Sequence, residues 1–221
     1  IAMGIDKESF VDTLLEGNGY VANGVFPDQT AFGGDKVTTE SYDPKGAKKV
    51  LEDAGWVDTD GDGIREKDGE KLSSPFQYQA GSASDDNLVV YICDQLGKIG
   101  IELTPQSAQM MDWYAMITTG EYGLTLFKTQ GGFYDPGNTI GNIDPSMAMD
   151  PIISQVAAYL PGGADLITEL ESTTDEERIQ EIYGIILTTM ADQCLTAPLV
   201  YPHQLAVYSD KIANYDFPPD A

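Results

Sequence analysis

Two hydrophobic periods take turns along this sequence, and few architectures accept that. Helical spacing comes first. Asp6 can cap a helix reaching about Leu15, with Ile5 and Phe10 placed as a hydrophobic staple and Gly17 near its end. Asp43-Pro44 opens a second helix, in which Val50 and Leu51 are expected to face inward before Gly55 stops it. Ser84 opens a third, carrying Leu88, Tyr91, Ile92, Leu96 and Ile99 on one side and ending at Gly100. A predicted capping box at Thr174 and Glu177 begins the last long helix. Its stripe of Ile179, Ile182, Tyr183, Ile186, Met190 and Cys194 reads as core packing.

Between these helices the period drops to that of strands. The predicted strands are PFQYQA (75–80), IELTP (101–105), YGLTLFK (122–128), APLVY (197–201) and LAVY (205–208). Prolines at 75, 198 and 202 suit strand starts and edges. Helix and strand in alternation predict an α/β fold, with helices packed on a mixed sheet.

Stretch 129–165 interrupts the pattern, being rich in Gly, Pro, Asn and Asp. It follows directly on a predicted strand, where α/β sheets place ligands, and a loop this long usually carries function or disorder. Within it, QGGFYDPGN (130–138) offers the parts of a small-molecule pocket. Gly131 and Gly132 let a ligand approach the backbone. Phe133 and Tyr134 supply stacking surface, and the Tyr134 hydroxyl a polar handle. The other reading is a turn whose aromatics cover the sheet, and pattern alone leaves the two even.

A second motif is WVDTDGDGIREKDG (56–69). Asp58, Asp60 and Asp62 fill the first three ligand places of a calcium loop, and Gly63 the sharp turn. The closing glutamate should stand at residue 69, which is glycine, with Asp68 and Glu70 on either side. A strand is expected next, not a second helix, so this is no EF-hand. It reads either as an improvised calcium site, with Glu66 or Asp68 added to the three aspartates, or as an Asp/Gly-rich turn. The misfit at residue 69 weighs toward the turn.

Charge excludes several classes of partner. There are 36 Asp and Glu against 12 Lys and Arg, a formal net charge of −24. Such a chain is repelled by nucleic acid and by anionic membrane surfaces. The two cysteines, Cys93 and Cys194, fall among apolar neighbours on predicted helices and are expected as buried free thiols. The one histidine, His203, reads as a packing or surface residue. No nucleophile elbow, phosphate loop or zinc spacing is present, so no enzyme is expected. The opening IAMGIDKESF carries no initiator methionine at residue 1, and the sequence is expected to lie within a longer protein.

Four stretches carry a family likeness: AMGIDKESFVDTLLEGNGYVANGVFP, YDPKGAKKVLEDAGWVDTDGDGIREKDGEKL, DQLGKIGIEL and FKTQGGFYDPGNT. Together they resemble the extracellular solute-binding proteins of family 5, the peptide- and nickel-binding receptors of ABC importers. The resemblance implies a periplasmic-binding-protein-like lobe (type II, cluster C-like), with residues 1–202 as the C-terminal ligand-binding lobe. Residues 203–221 would form a return segment toward an N-terminal lobe. It implies a short peptide or a nickel or other metal chelate as solute, and the membrane permease of an ABC transporter as partner. It also implies a monomer on the periplasmic or extracellular face of the membrane, lipid-anchored in the full-length protein. No cofactor is required on this reading. The solute contacts would be Gln130, Gly132, Phe133, Tyr134 and Asn138. Many peptide receptors carry an aspartate where this chain has Gly132, whereas Tyr134, Asp135 and Pro136 match the nickel receptors. A calcium-stabilised structural or adhesive surface module is the rival expectation, resting on Asp58, Asp60 and Asp62.

Overall fold

A computed structural model describes residues 1–27, 30, 32, 39–120, 122–128, 155–203 and 205–212. Within that range the chain forms two compact units, Ile1–Glu16 with Glu40–Lys128 and Gly17–Thr39 with Thr129–Ala221.

Three helix starts in the first unit are set by side chains that accept the free N–H groups of a first turn. Asp6 accepts from the Ser9 N–H at 2.9 Å and begins α1 (Lys7–Thr13). Asp43 does the same for Gly46 and begins α2 (Pro44–Asp53), with proline at the first turn. Ser82, two residues before the expected start, accepts from Asp85 and begins α3 (Ala83–Gly97). Met110–Thr119 forms α4, which the sequence pattern missed, and Gly120 closes it in the left-handed conformation.

Three parallel strands lie between these helices, in the order β5-β4-β6: β4 (Ser73–Gln79), β5 (Glu102–Ala108) and β6 (Leu124–Thr125). The crossovers are α3 and α4, as parallel pairing requires. Leu88, Val89, Ile92 and Leu96 of α3 are buried, as are Phe76, Leu103 and Ile99, so the predicted stripe is the core face. Each such side chain contributes about 1.5–3 kcal/mol by leaving water. The Tyr91 hydroxyl donates to the Asp6 carbonyl at 2.7 Å and its ring packs on Phe10, which docks α1 on α3. Val50 of α2 is 58% exposed, against expectation, because Ala47 is the residue that this helix buries.

In the second unit, β1 (Gly19–Val21) pairs antiparallel with β7 (Val200–Pro202). The Tyr201 hydroxyl donates within the unit, lying 2.6 Å from the Gly24 carbonyl and 2.7 Å from that of Phe26. Helices α5 (Ala164–Ser172) and α6 (Glu176–Asp192) enclose a cluster of Val156, Leu160, Ile167, Ile182, Tyr183, Ile186 and Met190. Asp175 caps α6 by accepting from Glu177 and Arg178, in place of the expected Thr174 and Glu177 box. Residues 205–208, expected as a strand, form none. Among the described residues, parallel pairing belongs to the three-stranded sheet and antiparallel pairing to two-stranded pieces. The expected mixture is therefore realised between sheets.

Candidate functional site

The expected solute contacts Gln130, Gly132, Phe133, Tyr134 and Asn138 all lie outside the described residues. What the structure does describe is the sheet edge that feeds them. Strands β4, β5 and β6 are parallel, so their carboxyl ends share one edge, and the chain leaves β6 for residues 129–154 there. Gln77 pairs in register with Gln106 on one side and Thr125 on the other, giving a polar row across the sheet. The Gln77 amide donates to Gln106 Oε1 at 3.2 Å. Trp113 of α4 donates its indole N–H to Thr125 Oγ1 at 3.0 Å and stacks on Phe127. Lys128, the last described residue of the first unit, pairs with Asp85 at 2.7 Å. Asp85 stands in the first turn of α3, where the helix dipole favours an anion. The chain leading up to residue 129 is thus anchored at three points: Thr125, Phe127 and Lys128.

The aspartate loop is described in full. It sits between α2 and a small hairpin, β2 (Glu66–Lys67) and β3 (Glu70–Lys71). Asp68 and Gly69 turn that hairpin with φ of +54° and +85°, a conformation that Asp-Gly pairs favour. Gly69, the place of the missing closing glutamate, is therefore occupied by a turn. Loop carboxylates accept the loop's own N–H groups. Asp58 takes those of Gly61 at 2.7 Å and Gly63 at 3.0 Å, Asp60 that of Asp62 at 3.0 Å, and Asp62 that of Ile64 at 2.9 Å. Glu66 accepts from the Thr59 N–H and hydroxyl through Oε2. Asp58, Asp60, Asp62 and Glu66 each bring an oxygen within 4.8 Å of the others. Of the two extra ligands that the sequence offered, the structure brings in Glu66.

Lys71 is the resident counter-charge, bonded to Asp62 and 3.8 Å from Asp60. Its hydrogen bond, with that of the Ile64 N–H, holds the Asp62 carboxyl below the ordinary carboxylate range. The same bond to Asp62 pushes the Lys71 ammonium up. Sequence reading missed Lys71. Its signal was the Asp-Gly turn, which folds the hairpin and sets Lys71 opposite Glu66.

Buried Arg65 ties this loop to the rest of the unit. Its guanidinium donates to the Ile99 carbonyl at 2.9 Å, the Trp56 carbonyl at 2.8 Å and Glu52 at 2.9 Å. Cys93 is half-buried, and burial raises its thiol above the ordinary range. Cys194 is exposed, against expectation, because α6 ends at Asp192 and Cys194 follows in a left-handed turn with φ of +52°. His203 is exposed and meets Tyr20 edge-on, in keeping with its reading as a packing or surface residue. In the second unit a cavity of about 20 Å³ lies between Gly24, Leu187 and Pro198, room for a water molecule rather than a solute.

Comparison with known proteins decides among these features. A family model described as bacterial extracellular solute-binding proteins, family 5 middle, matches residues 1–148 of the 221. The chain belongs to family 5. Both the aspartate loop and the Gln130–Asn138 run fall inside the family 5 match. Over 217 residues the chain is 27% identical to the nickel-binding periplasmic protein of Escherichia coli (strain K12), covering 98% of this chain and 41% of that protein. Over 117 residues it is 37% identical to the oligopeptide-binding protein AppA of Bacillus subtilis (strain 168), 51% of this chain and 21% of that one. The structure of NikA from Brucella suis in complex with Fe(III)-EDTA matches with a TM-score of 0.81 at 25% identity, over 91% of this chain and 40% of that one. AppA from Bacillus subtilis in complex with a nonapeptide matches in fold, with a TM-score of 0.77 at 23% identity, over 99% of this chain and 44% of that one. The chain thus spans less than half the length of these family 5 relatives. Neither the family match nor these neighbours lends support to an adhesive module.

Proposed function

We propose that this chain is the C-terminal lobe of the solute-binding component of an ABC importer, without catalytic activity. Its solute is a short peptide or a nickel or other metal chelate, trapped between this lobe and an N-terminal one. The observation that carries the reading is the family 5 match over residues 1–148. It is joined by near-complete coverage of this chain by a nickel-binding relative, and by the 37% match to an oligopeptide-binding one. The sheet agrees with this reading, since the chain enters 129–154 from the carboxyl edge where open α/β sheets place ligands. Gln130, Gly132, Phe133, Tyr134 and Asn138 make the contacts on this proposal. Residues 203–221 return toward the other lobe, in keeping with the fully exposed side chain of Val207.

The whole protein then works as a monomer that docks on a membrane permease, on the periplasmic or extracellular face, held by a lipid anchor. No helix among the described residues is long and apolar enough to cross a membrane. The site assignment is tested by substituting Tyr134→Ala and Phe133→Ala in the full-length protein and measuring solute affinity. A loss of tenfold or more, roughly 1.4 kcal/mol, is expected for Tyr134→Ala. Unchanged affinity in both variants would move the site elsewhere.

A further inference from the structure

Glu66 adds to the aspartate loop something that an Asp/Gly turn does not need. As a residue it is half-buried, and the carboxylate it offers to the loop is buried. Oε2 accepts from Thr59, while Oε1 is shut off from solvent and has no hydrogen-bond partner. A shielded carboxylate oxygen without a donor is costly to bury. The Glu66 carboxyl group stands in a set where four carboxylates face one ammonium, that of Lys71, leaving three negative charges uncompensated.

The N–H groups of the loop leave capacity on the aspartate oxygens, since each carboxylate oxygen accepts at about two lone-pair sites. Counted from Asp58, the members stand at places 1, 3, 5 and 9 of a calcium loop, and Ile64 stands where such a loop offers a carbonyl. An all-oxygen, anionic set selects a hard cation. Two oxygens on one calcium ion, each 2.3–2.6 Å away, can stand at most about 5 Å apart, against roughly 4 Å for magnesium. All four oxygens lie within 4.8 Å of one another, inside the calcium limit.

We propose that Asp58, Asp60, Asp62 and Glu66 bind a calcium ion, with Lys71 as the built-in cation that yields Asp60 and Asp62 to it. The ion takes up the orphaned Glu66 oxygen and fastens the loop between α2 and the β2–β3 hairpin. With a turn at Gly69 in place of a closing glutamate, and Lys71 in competition, the site is weak. Its dissociation constant is expected in the range of about 10⁻⁴–10⁻³ M typical of extracellular calcium modules.

The test is calorimetric titration and thermal melting of the full chain with calcium chloride, against magnesium chloride at equal ionic strength. Calcium should raise the melting temperature more than magnesium does, through binding to the folded state. Asp60→Asn and Glu66→Gln keep the acceptors for the Asp62 and Thr59 N–H groups, so both should fold, and both should lose the calcium response. Lys71→Gln should tighten calcium binding by about twofold to fivefold, the worth of an exposed ion pair. The proposal is overturned if neither the parent nor Lys71→Gln responds to calcium. It is equally overturned if magnesium and Asp60→Asn give the same shift as calcium and the parent, since that is salt screening of a chain with net charge −24.

Discussion

The side chain of Arg65 occupies the space that a Cβ on Gly100 would need. A Cβ built there would lie 2.6 Å from Arg65 Cγ, and Gly100 itself has φ of +90°. Arg65 cannot retreat easily, because its guanidinium is held by the carbonyls of Ile99 and Trp56 and by Glu52. Gly100→Ala combines backbone strain with a clash and should destabilise the protein by about 1–3 kcal/mol or more. Chemical denaturation of the variant beside the parent checks this.

Trp113 anchors β6 just before the chain enters residues 129–154. Trp113→Phe removes the donor to Thr125 Oγ1 and part of the stack on Phe127. A loss of about 1–2 kcal/mol is expected, slightly more than the hydrogen bond alone. Thermal melting with a far-ultraviolet probe would read it.

Acid should weaken the joint between α5 and α6. Arg178 grips Glu169 through two bonds of 2.6 and 2.8 Å and reaches Glu181 at 2.7 Å. Its guanidinium holds the Glu169 carboxyl below the ordinary value of 4.5. A carboxylate depressed in the folded state stabilises above its unfolded value, and that stability is lost as pH falls through the folded one. Glu169→Gln should therefore lower the melting temperature at pH 7, and the gap between parent and variant should narrow as the pH is taken down to 3. A gap of equal size at both pH values would mean that packing, not charge, joins the helices.

The two thiols should differ in reactivity. Cys194 is exposed, while Cys93 is half-buried with its thiol pushed up by burial. A thiol reagent at pH 8 should modify one cysteine per folded chain quickly and the second only slowly or in denaturant. Cys194→Ser should abolish the fast phase.

Much of the fold was legible because local chemistry and core pattern agree. Asp6 and Asp43 cap the helices expected of them, and the stripes of α3 and α6 are core faces. Helix α4 was missed because its sequence, MMDWYAMITT, is apolar nearly all round and shows no clean face. Cys194 was misplaced because its apolar neighbours extend the α6 stripe past the point where the backbone turns left-handed. Strand 205–208 was over-read, since an alternating run makes no strand without a partner to pair with. In the aspartate loop, Asp58, Asp60 and Asp62 were visible as a motif. The hairpin that brings in Lys71 was missed, although its Asp68-Gly69 turn was there to be read.

The central claim is solute capture, and calorimetric titration of the ligand-stripped, full-length protein addresses it most directly. A pool of short peptides is titrated first, then nickel with histidine as chelator. Saturable binding of one of these solutes, weakened at least tenfold by Tyr134→Ala, is the expected result. Binding of the nickel chelate alone would follow the Tyr134-Asp135-Pro136 match. Binding of peptide would mean that the site holds its solute with Gly132 in place of the aspartate of many peptide receptors. No heat with either class, from protein shown to be folded, would contradict the assignment to peptide or metal-chelate import.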